Sequence, residues 1–239
     1  IIVHMFGNPC KIDQIKKIAN KYKIYLIEDA SHAHGAEFNK KKVGNFSDIA
    51  VFSCHQRKNL SSGEGGLVIS KNALLDKRIY KLRSFGEKKL SYNYRMTEFC
   101  AAIGQNSLKK LDTENIYRIK NVKYLLKKFN FEKYFQIVLP QNNCKPTYHK
   151  LPILYDYKYF KKDINFFIKY MNNVGIPFSH AYTPLNHHPN FNIKKDRNKS
   201  FPNIDLEYKK QTHFTNTFDI CYKRLTELSI HRPVSEYHL

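Results

Sequence analysis

Two short segments carry residue types that could do covalent chemistry on a carbonyl. The first is Ser53-Cys54-His55-Gln56-Arg57-Lys58-Asn59-Leu60-Ser61-Ser62-Gly63-Glu64-Gly65-Gly66, where Lys58 follows the apolar run Ile49-Ala50-Val51-Phe52 and precedes a glycine-rich turn. The second is Glu28-Asp29-Ala30-Ser31-His32-Ala33-His34-Gly35-Ala36, where Asp29 closes the apolar run Ile24-Tyr25-Leu26-Ile27. A lysine attacks a carbonyl only as the neutral amine, so a reactive one needs a site that lowers its pKa. A carboxylate at the tip of another strand can keep a pyridinium nitrogen protonated, so that the ring acts as an electron sink. A lysine and a carboxylate so placed are the parts needed to hold pyridoxal phosphate, with Lys58 forming the Schiff base and Asp29 ion-pairing with the ring nitrogen. Each also has an ordinary alternative: a solvated surface charge for Lys58, a helix N-cap for Asp29.

Such groups need several strands ending at one edge. Residues 1–6 read as a buried parallel strand. Gly7-Asn8-Pro9 turns the chain into a helix with Ile12, Ile15, Ile18 and Ala19 at helical spacing, and residues 24–27 form the next strand. Strands over 49–53 and 67–70 follow, then a helix over 73–83. Thr97-Glu98 opens a helix carrying Phe99, Ala102, Ile103 and Leu108, and a separate basic helix is predicted over 115–129. In open α/β sheets ligands bind beyond the carboxyl ends of the strands, where Asp29 and Ser53 fall. The text becomes loop-rich near Gln141-Asn142-Asn143, so a large, mostly parallel α/β domain over 1–140, incomplete at its N-terminus, is expected to precede a smaller C-terminal α/β domain over 141–239. The latter holds a strand over 150–155, a helix over 163–173, the turn Gly175-Ile176-Pro177 and a surface loop over 190–203.

Composition bounds the function. A hydrophobic fraction of 42% with 17 Phe and 17 Tyr is that of a globular chain with a core. No apolar run is long enough to span a membrane and there is no secretory leader. The five cysteines (Cys10, Cys54, Cys100, Cys144, Cys221) are widely spread and form no CxxC pair, which points to free thiols in a reducing cytoplasm. The net charge of +21 raises the question of nucleic acid. Lysine supplies most of it, alongside abundant Asn, Ile and Tyr, all with A/T-rich codons, so genome bias explains the excess and no nucleic-acid motif accompanies it. A basic surface would still gather a phosphorylated substrate. The chain opens inside a strand without Met and so reads as lacking its start.

The Lys58 and Asp29 segments resemble the DegT/DnrJ/EryC1/StrS family of sugar aminotransferases, densely over residues 1–110 and in islands near 175–191 and 231–237. The resemblance implies the fold of fold-type I pyridoxal phosphate enzymes. By it, His32 would contact the phenolic oxygen or flank the ring, and Ser53 would give its hydroxyl to the cofactor phosphate. Asn93, in Tyr92-Asn93-Tyr94-Arg95-Met96, would reach across a homodimer interface to the neighbouring cofactor. Structural roles stand beside these: a packed histidine, a strand-end cap and an exposed turn. Clustered His180, Tyr182, His187 and His188 have no carboxylate or thiol close by, so substrate contact or plain structure is favoured over metal. The implied reaction moves an amino group from an amino acid, commonly glutamate, to a nucleotide-linked keto-deoxysugar. A keto-inositol acceptor and a non-catalytic remnant of the family are the alternatives. The intact Lys58 argues against the family's dehydratase branch, which carries histidine there. The family's N-terminal segment, with its phosphate-binding helix and ring-stacking aromatic residue, and its last helix have no counterpart in the chain.

Overall fold

The apolar runs at the start of the chain become the strands that present the site. In the computed structural model, which describes residues 1–86, 91–130, 134–184 and 215–230, β1 (Ile2–Val3) leads through α1 (Ile12–Lys21) to β2 (Ile27–Asp29). The hairpin β3 (Glu37–Phe38) and β4 (Lys41–Lys42) follows, turned by Asn39 and Lys40 in left-handed conformation (φ 48° and 61°), as a two-residue hairpin turn requires. Next come β5 (Ile49–Ser53), β6 (Gly66–Ser70), α2 (Ala73–Arg83) and α3 (Glu98–Lys128). The first sheet has the order β1-β2-β5-β6, with β1, β2 and β5 parallel and β6 antiparallel to β5. Against it α1 buries Ile12 and Ala19 among Ile2, Leu26, Ala30, Phe38 and Val43.

Three elements differ from the sequence reading. β1 stops at Val3, because the chain turns at Met5–Gly7 with Phe6 left-handed (φ 56°). β2 starts at Ile27 rather than 24, because residues 22–24 are used to end α1: Lys23 is left-handed (φ 52°) and Ile24 N–H bonds back to Ala19 O. Ile24 and Tyr25 are exposed accordingly. The helices expected around 97–108 and over 115–129 are one helix, α3. No proline or cap interrupts them, and Leu111, Asn115, Val122 and Leu125 form one continuous buried stripe.

Beyond α3 lie β7 (Phe135–Ile137), β8 (Cys144–Lys145), β9 (Leu151–Tyr155), α4 (Tyr157–Phe160), α5 (Ile164–Asn173), β10 (Phe178–His180), α6 (Thr215–Phe218) and β11 (Leu225–Leu228). The chain divides into two compact units. One takes Ile1–Lys128, Leu139–Leu151 and the chain from Ile230; the other takes Phe129–Val138 and Pro152–Ser229. In the first, β8 joins the hairpin in the order β4-β3-β8. In the second, the sheet β10-β11-β9-β7 packs an aromatic core, with Tyr155 stacked on Phe160 and Phe167 at 5.0 and 4.8 Å. Asp163 caps α5 through Phe166 N–H. The loop expected over 190–203 lies outside the described residues. Among those described, no helix is long and apolar enough to cross a membrane.

Candidate active site

Asp29 is the last residue of β2, held between Val3 of β1 and Val51 of β5. Its carbonyl accepts from His4 N–H at 3.0 Å, and Ala30 N–H donates to Val51 O at 2.9 Å. Its carboxylate Oδ1 accepts from Ser31 N–H at 3.0 Å. The neighbouring Glu28 points to the other face and is fully buried. Its two oxygens accept from His4 Nε2 and Gly44 N–H on one side, and from Phe46 N–H, Ser47 N–H and the Ser47 hydroxyl on the other. Cys10 N–H donates to His4 Nδ1, so the His4 ring carries its proton on Nε2, toward Glu28. The tip of β2 is therefore anchored from behind.

Ser53 ends β5, and the loop after it is stitched shut. Cys54 N–H donates to Gly65 O at 2.8 Å and Ser62 N–H to Cys54 O at 2.9 Å. Gly65 is at φ 126°, a conformation that calls for glycine, and the Met96 side chain packs over it. Within the loop Lys58 is half-buried, its N–H bonded to His55 O. The next residue, Asn59, is buried and donates to Asn115 Oδ1 at 3.1 Å and to Thr147 O at 3.0 Å. Asn115 of α3 in turn donates to His34 O at 2.9 Å, tying the Lys58 loop to the segment after Asp29. Replacing Asn115 by leucine strands these buried groups. The expected loss is about 1–3 kcal/mol of stability, read by urea unfolding, and a change within a few tenths would deny Asn115 this linking role.

Three imidazoles gather beside Lys58. His32 Nδ1 accepts from Phe6 N–H at 3.3 Å, and its ring stacks on His149 with centroids 4.4 Å apart. Burial pushes the His32 pKa down to about 4, helped by the positive charge of Lys58 and opposed by Asp29. Burial likewise lowers His34 to about 4, with Lys58 and His32 adding to the fall. The Ser53 backbone offsets part of this from nearby, without a hydrogen bond of good geometry to either ring nitrogen. His149 is pushed lowest, to about 2, by burial first and then by His32, Lys58, Arg118 and Lys150. At neutral pH all three rings are neutral, with the Lys58, Arg118 and Lys150 cations and the Asp29 carboxylate as the charges that bear on them.

Several buried polar atoms here have no hydrogen-bond partner among the described residues: Asn59 Oδ1, Thr147 Oγ1, His149 Nδ1 and both ring nitrogens of His34. Buried polar groups are ordinarily satisfied, so this cluster fits a polar ligand. With an amine and a carboxylate alongside, the residues fit pyridoxal phosphate. The Ser53 hydroxyl sits at the strand end, accepting a long bond of 3.4 Å from His55 N–H. Asn93 stands apart. It is exposed, bonded to Arg95 Nε at 3.0 Å, and no hydrogen bond or ring contact joins it to Asp29, His32 or Lys58. Of the second histidine cluster, His180 bonds Asn165 at 2.9 Å, while His187 and His188 lie outside the described residues. Among the described residues no group of His, Cys, Asp and Glu could hold a metal ion. Asn59, Asn115, Thr147 and His149 escaped the sequence reading. The partners of Asn59 lie 56 and 88 residues away, beyond any spacing rule.

The sequence profile of the DegT/DnrJ/EryC1/StrS aminotransferase family matches residues 1–221. The chain belongs to this family. Members of the DegT/DnrJ/EryC1/StrS family are pyridoxal phosphate-dependent. One relative is the UDP-4-amino-4,6-dideoxy-N-acetyl-beta-L-altrosamine transaminase of Campylobacter jejuni, 39% identical over 163 residues, covering 64% of this chain and 43% of that enzyme. Another is the L-glutamine:2-deoxy-scyllo-inosose aminotransferase of Streptomyces kanamyceticus, 30% identical over 209 residues, covering 79% of this chain and 49% of that one. A solved Helicobacter pylori aminotransferase involved in the biosynthesis of pseudoaminic acid shares the fold, with a TM-score of 0.80 at 24% identity over 99% of this chain and 62% of its own. The expected fold-type I α/β architecture is thus the one observed. The chain spans about half the length of the two relatives compared by sequence.

Proposed function

We propose that the protein is an aminotransferase that moves an amino group from an amino acid, with glutamate as donor, to the keto group of a nucleotide-linked keto-deoxysugar. The observation that carries this reading is the convergence of Lys58, Asp29 and His32 at the carboxyl edge of the parallel strands, beside unsatisfied buried polar atoms. Bound pyridoxal phosphate supplies the carbonyl for covalent capture and the ring that accepts electrons. Lys58 Nζ would hold it, and the same amine would move the proton at the substrate carbon. The Asp29 carboxylate would keep the ring nitrogen protonated, Ser53 Oγ would donate to the phosphate, and neutral His32 would lie beside the ring. These cofactor groups all fall within residues 1–140 of what we read as a cytoplasmic protein.

The test is the half-reaction: loaded protein mixed with glutamate changes its absorbance and releases 2-oxoglutarate. Loaded protein inert to glutamate, glutamine and other amino acids would leave a non-catalytic remnant. The nucleotide sugar is favoured as acceptor because the altrosamine relative is the more similar one. The inosose enzyme matches a larger share of this chain, so a keto-inositol is the second acceptor to assay.

A homodimer with shared sites completes the reading. It is supported by the apolar residues that α3 exposes at its start, Phe99 and Ile103, which lie one turn apart beside the exposed Asn93 loop. Lys58→Ala and Asn93→Ala proteins, each impaired alone, are expected to regain roughly a quarter of wild-type activity when mixed, since hybrid dimers hold one intact site. Mixing that restores nothing would place Asn93 outside the partner's site.

A further inference from the structure

His149 is not one of the groups that the proposed chemistry uses, yet the chain takes strained backbone on two segments to bring it to His32. Phe6 and Tyr148 are both left-handed, at φ 56° and 43°, a conformation bulky side chains rarely adopt. They belong to two strands of backbone clipped together: Thr147 N–H donates to Gly7 O at 3.0 Å and His149 N–H to Phe6 O at 2.9 Å. Gly7 makes the clip possible, since at φ 84° a Cβ would meet Thr147 Oγ1 at 2.7 Å and His32 O at 2.9 Å. Backbone outliers that persist in this way cluster where the surroundings over-determine a functional geometry.

The clip does two things to one ring. It aims Phe6 N–H at His32 Nδ1 (3.3 Å), and it lays the His149 ring on the His32 face at 4.4 Å and 28°. A backbone N–H can only donate, so Nδ1 must hold the lone pair and a neutral His32 carries its proton on Nε2.

We infer that His149 is a positioning residue: its ring is the platform that, with Phe6 N–H, holds His32 in one plane and one tautomer, presenting Nε2–H as a donor. The functional value of that donor rests on the reading of this edge as the cofactor site, where an anionic oxygen would accept it. Among the described residues, titratable groups bear on both rings, and His34 is one of those beside His32. Lys58 and Asp29 act on His32, while Lys58, Arg118 and Lys150 act on His149. Burial and the nearby cations both disfavour protonation of either ring. Removing His149 opens the His32 face to water and makes its protonation easier.

The test is nitrogen-detected tautomer analysis and pH titration of His32 in the full chain without added cofactor, with the signal assigned by His32→Gln. In the wild type, His32 is expected solely as the Nε2–H tautomer, titrating well below an ordinary histidine. His149→Ala is expected to populate both tautomers and raise the titration midpoint by about one unit or more, a tenfold easier protonation. His149→Phe keeps the platform and is expected to behave as wild type, which a merely structural need for histidine would not produce. Mixed tautomers in the wild type or in His149→Phe would overturn the inference, as would an unchanged His32 in His149→Ala. If His149→Ala does not fold, the wild type and His149→Phe still decide. Because no cofactor is needed, failure here is distinct from failure to bind pyridoxal phosphate, which would overturn the aminotransferase reading instead.

Discussion

Replacing Lys58 by alanine is expected to abolish turnover with every acceptor, lowering the glutamate half-reaction at least about a thousandfold. The chain carries 41 basic residues, so loss of one positive charge is not the reason. What sets Lys58 apart is its place: Asn59 and the closed turn at Cys54 and Gly65 hold it half-buried at the strand edge. Lys58→Arg separates charge from chemistry. Its guanidinium stays protonated, cannot attack a carbonyl and is expected to be as inactive as alanine. Both variants should unfold in urea at nearly the wild-type concentration, since the Asn59 anchor remains. A Lys58→Ala protein within about tenfold of wild type in the half-reaction would remove Lys58 from the mechanism.

Glu28→Gln is expected to cost about 3 kcal/mol or more, and to misplace Asp29 next to it. The carboxylate oxygens of Glu28 receive five hydrogen bonds, and whichever way a glutamine turned, its NH₂ would face at least two donors. Burial alone would raise the Glu28 pKa, but His4, Gly44 N–H, Ser47 and Phe46 N–H together outweigh it and hold it at about 2, against an ordinary 4.5. A carboxylate lowered by folding stabilises above its unfolded pKa and loses that stabilisation as protons bind the folded form. The contribution, about 3 kcal/mol, is therefore complete above about pH 4.5 and gone near pH 2. Urea midpoints measured between pH 6 and pH 3 should fall for the wild type, and less steeply for Glu28→Gln. Parallel curves for the two proteins would assign acid unfolding to other groups.

How much of this was legible in the sequence follows from the range of each interaction. The strand Ile49–Ser53, the helices Ala73–Arg83 and Ile164–Asn173, and the placement of Asp29 at a strand end were readable, because apolar periodicity and caps are local. β1 and β2 were misjudged at their ends, where left-handed Phe6 closes one apolar run and left-handed Lys23 precedes the other. The single helix Glu98–Lys128 was split in the reading, with a second, basic helix starting at Asn115. Asn115 is instead buried in mid-helix, where Asn59 and the His34 carbonyl satisfy its amide. Lys58, Asp29 and His32 were nominated through flanking motifs. His149 lies 117 positions from the ring it stacks on, in a segment whose only local mark is a strand about to begin, so no spacing reveals it. Glu28 was passed over beside its more reactive neighbour, since its partners Gly44, Phe46 and Ser47 act mainly through backbone N–H groups that no side-chain pattern shows.

The most direct test of the central claim is borohydride reduction of the protein incubated with pyridoxal phosphate, followed by peptide mapping. The account predicts one reduced phosphopyridoxyl group, on Lys58, absent from Lys58→Ala. A label spread over surface lysines, or none on Lys58 in this chain and in a version extended at its N-terminus, would contradict it.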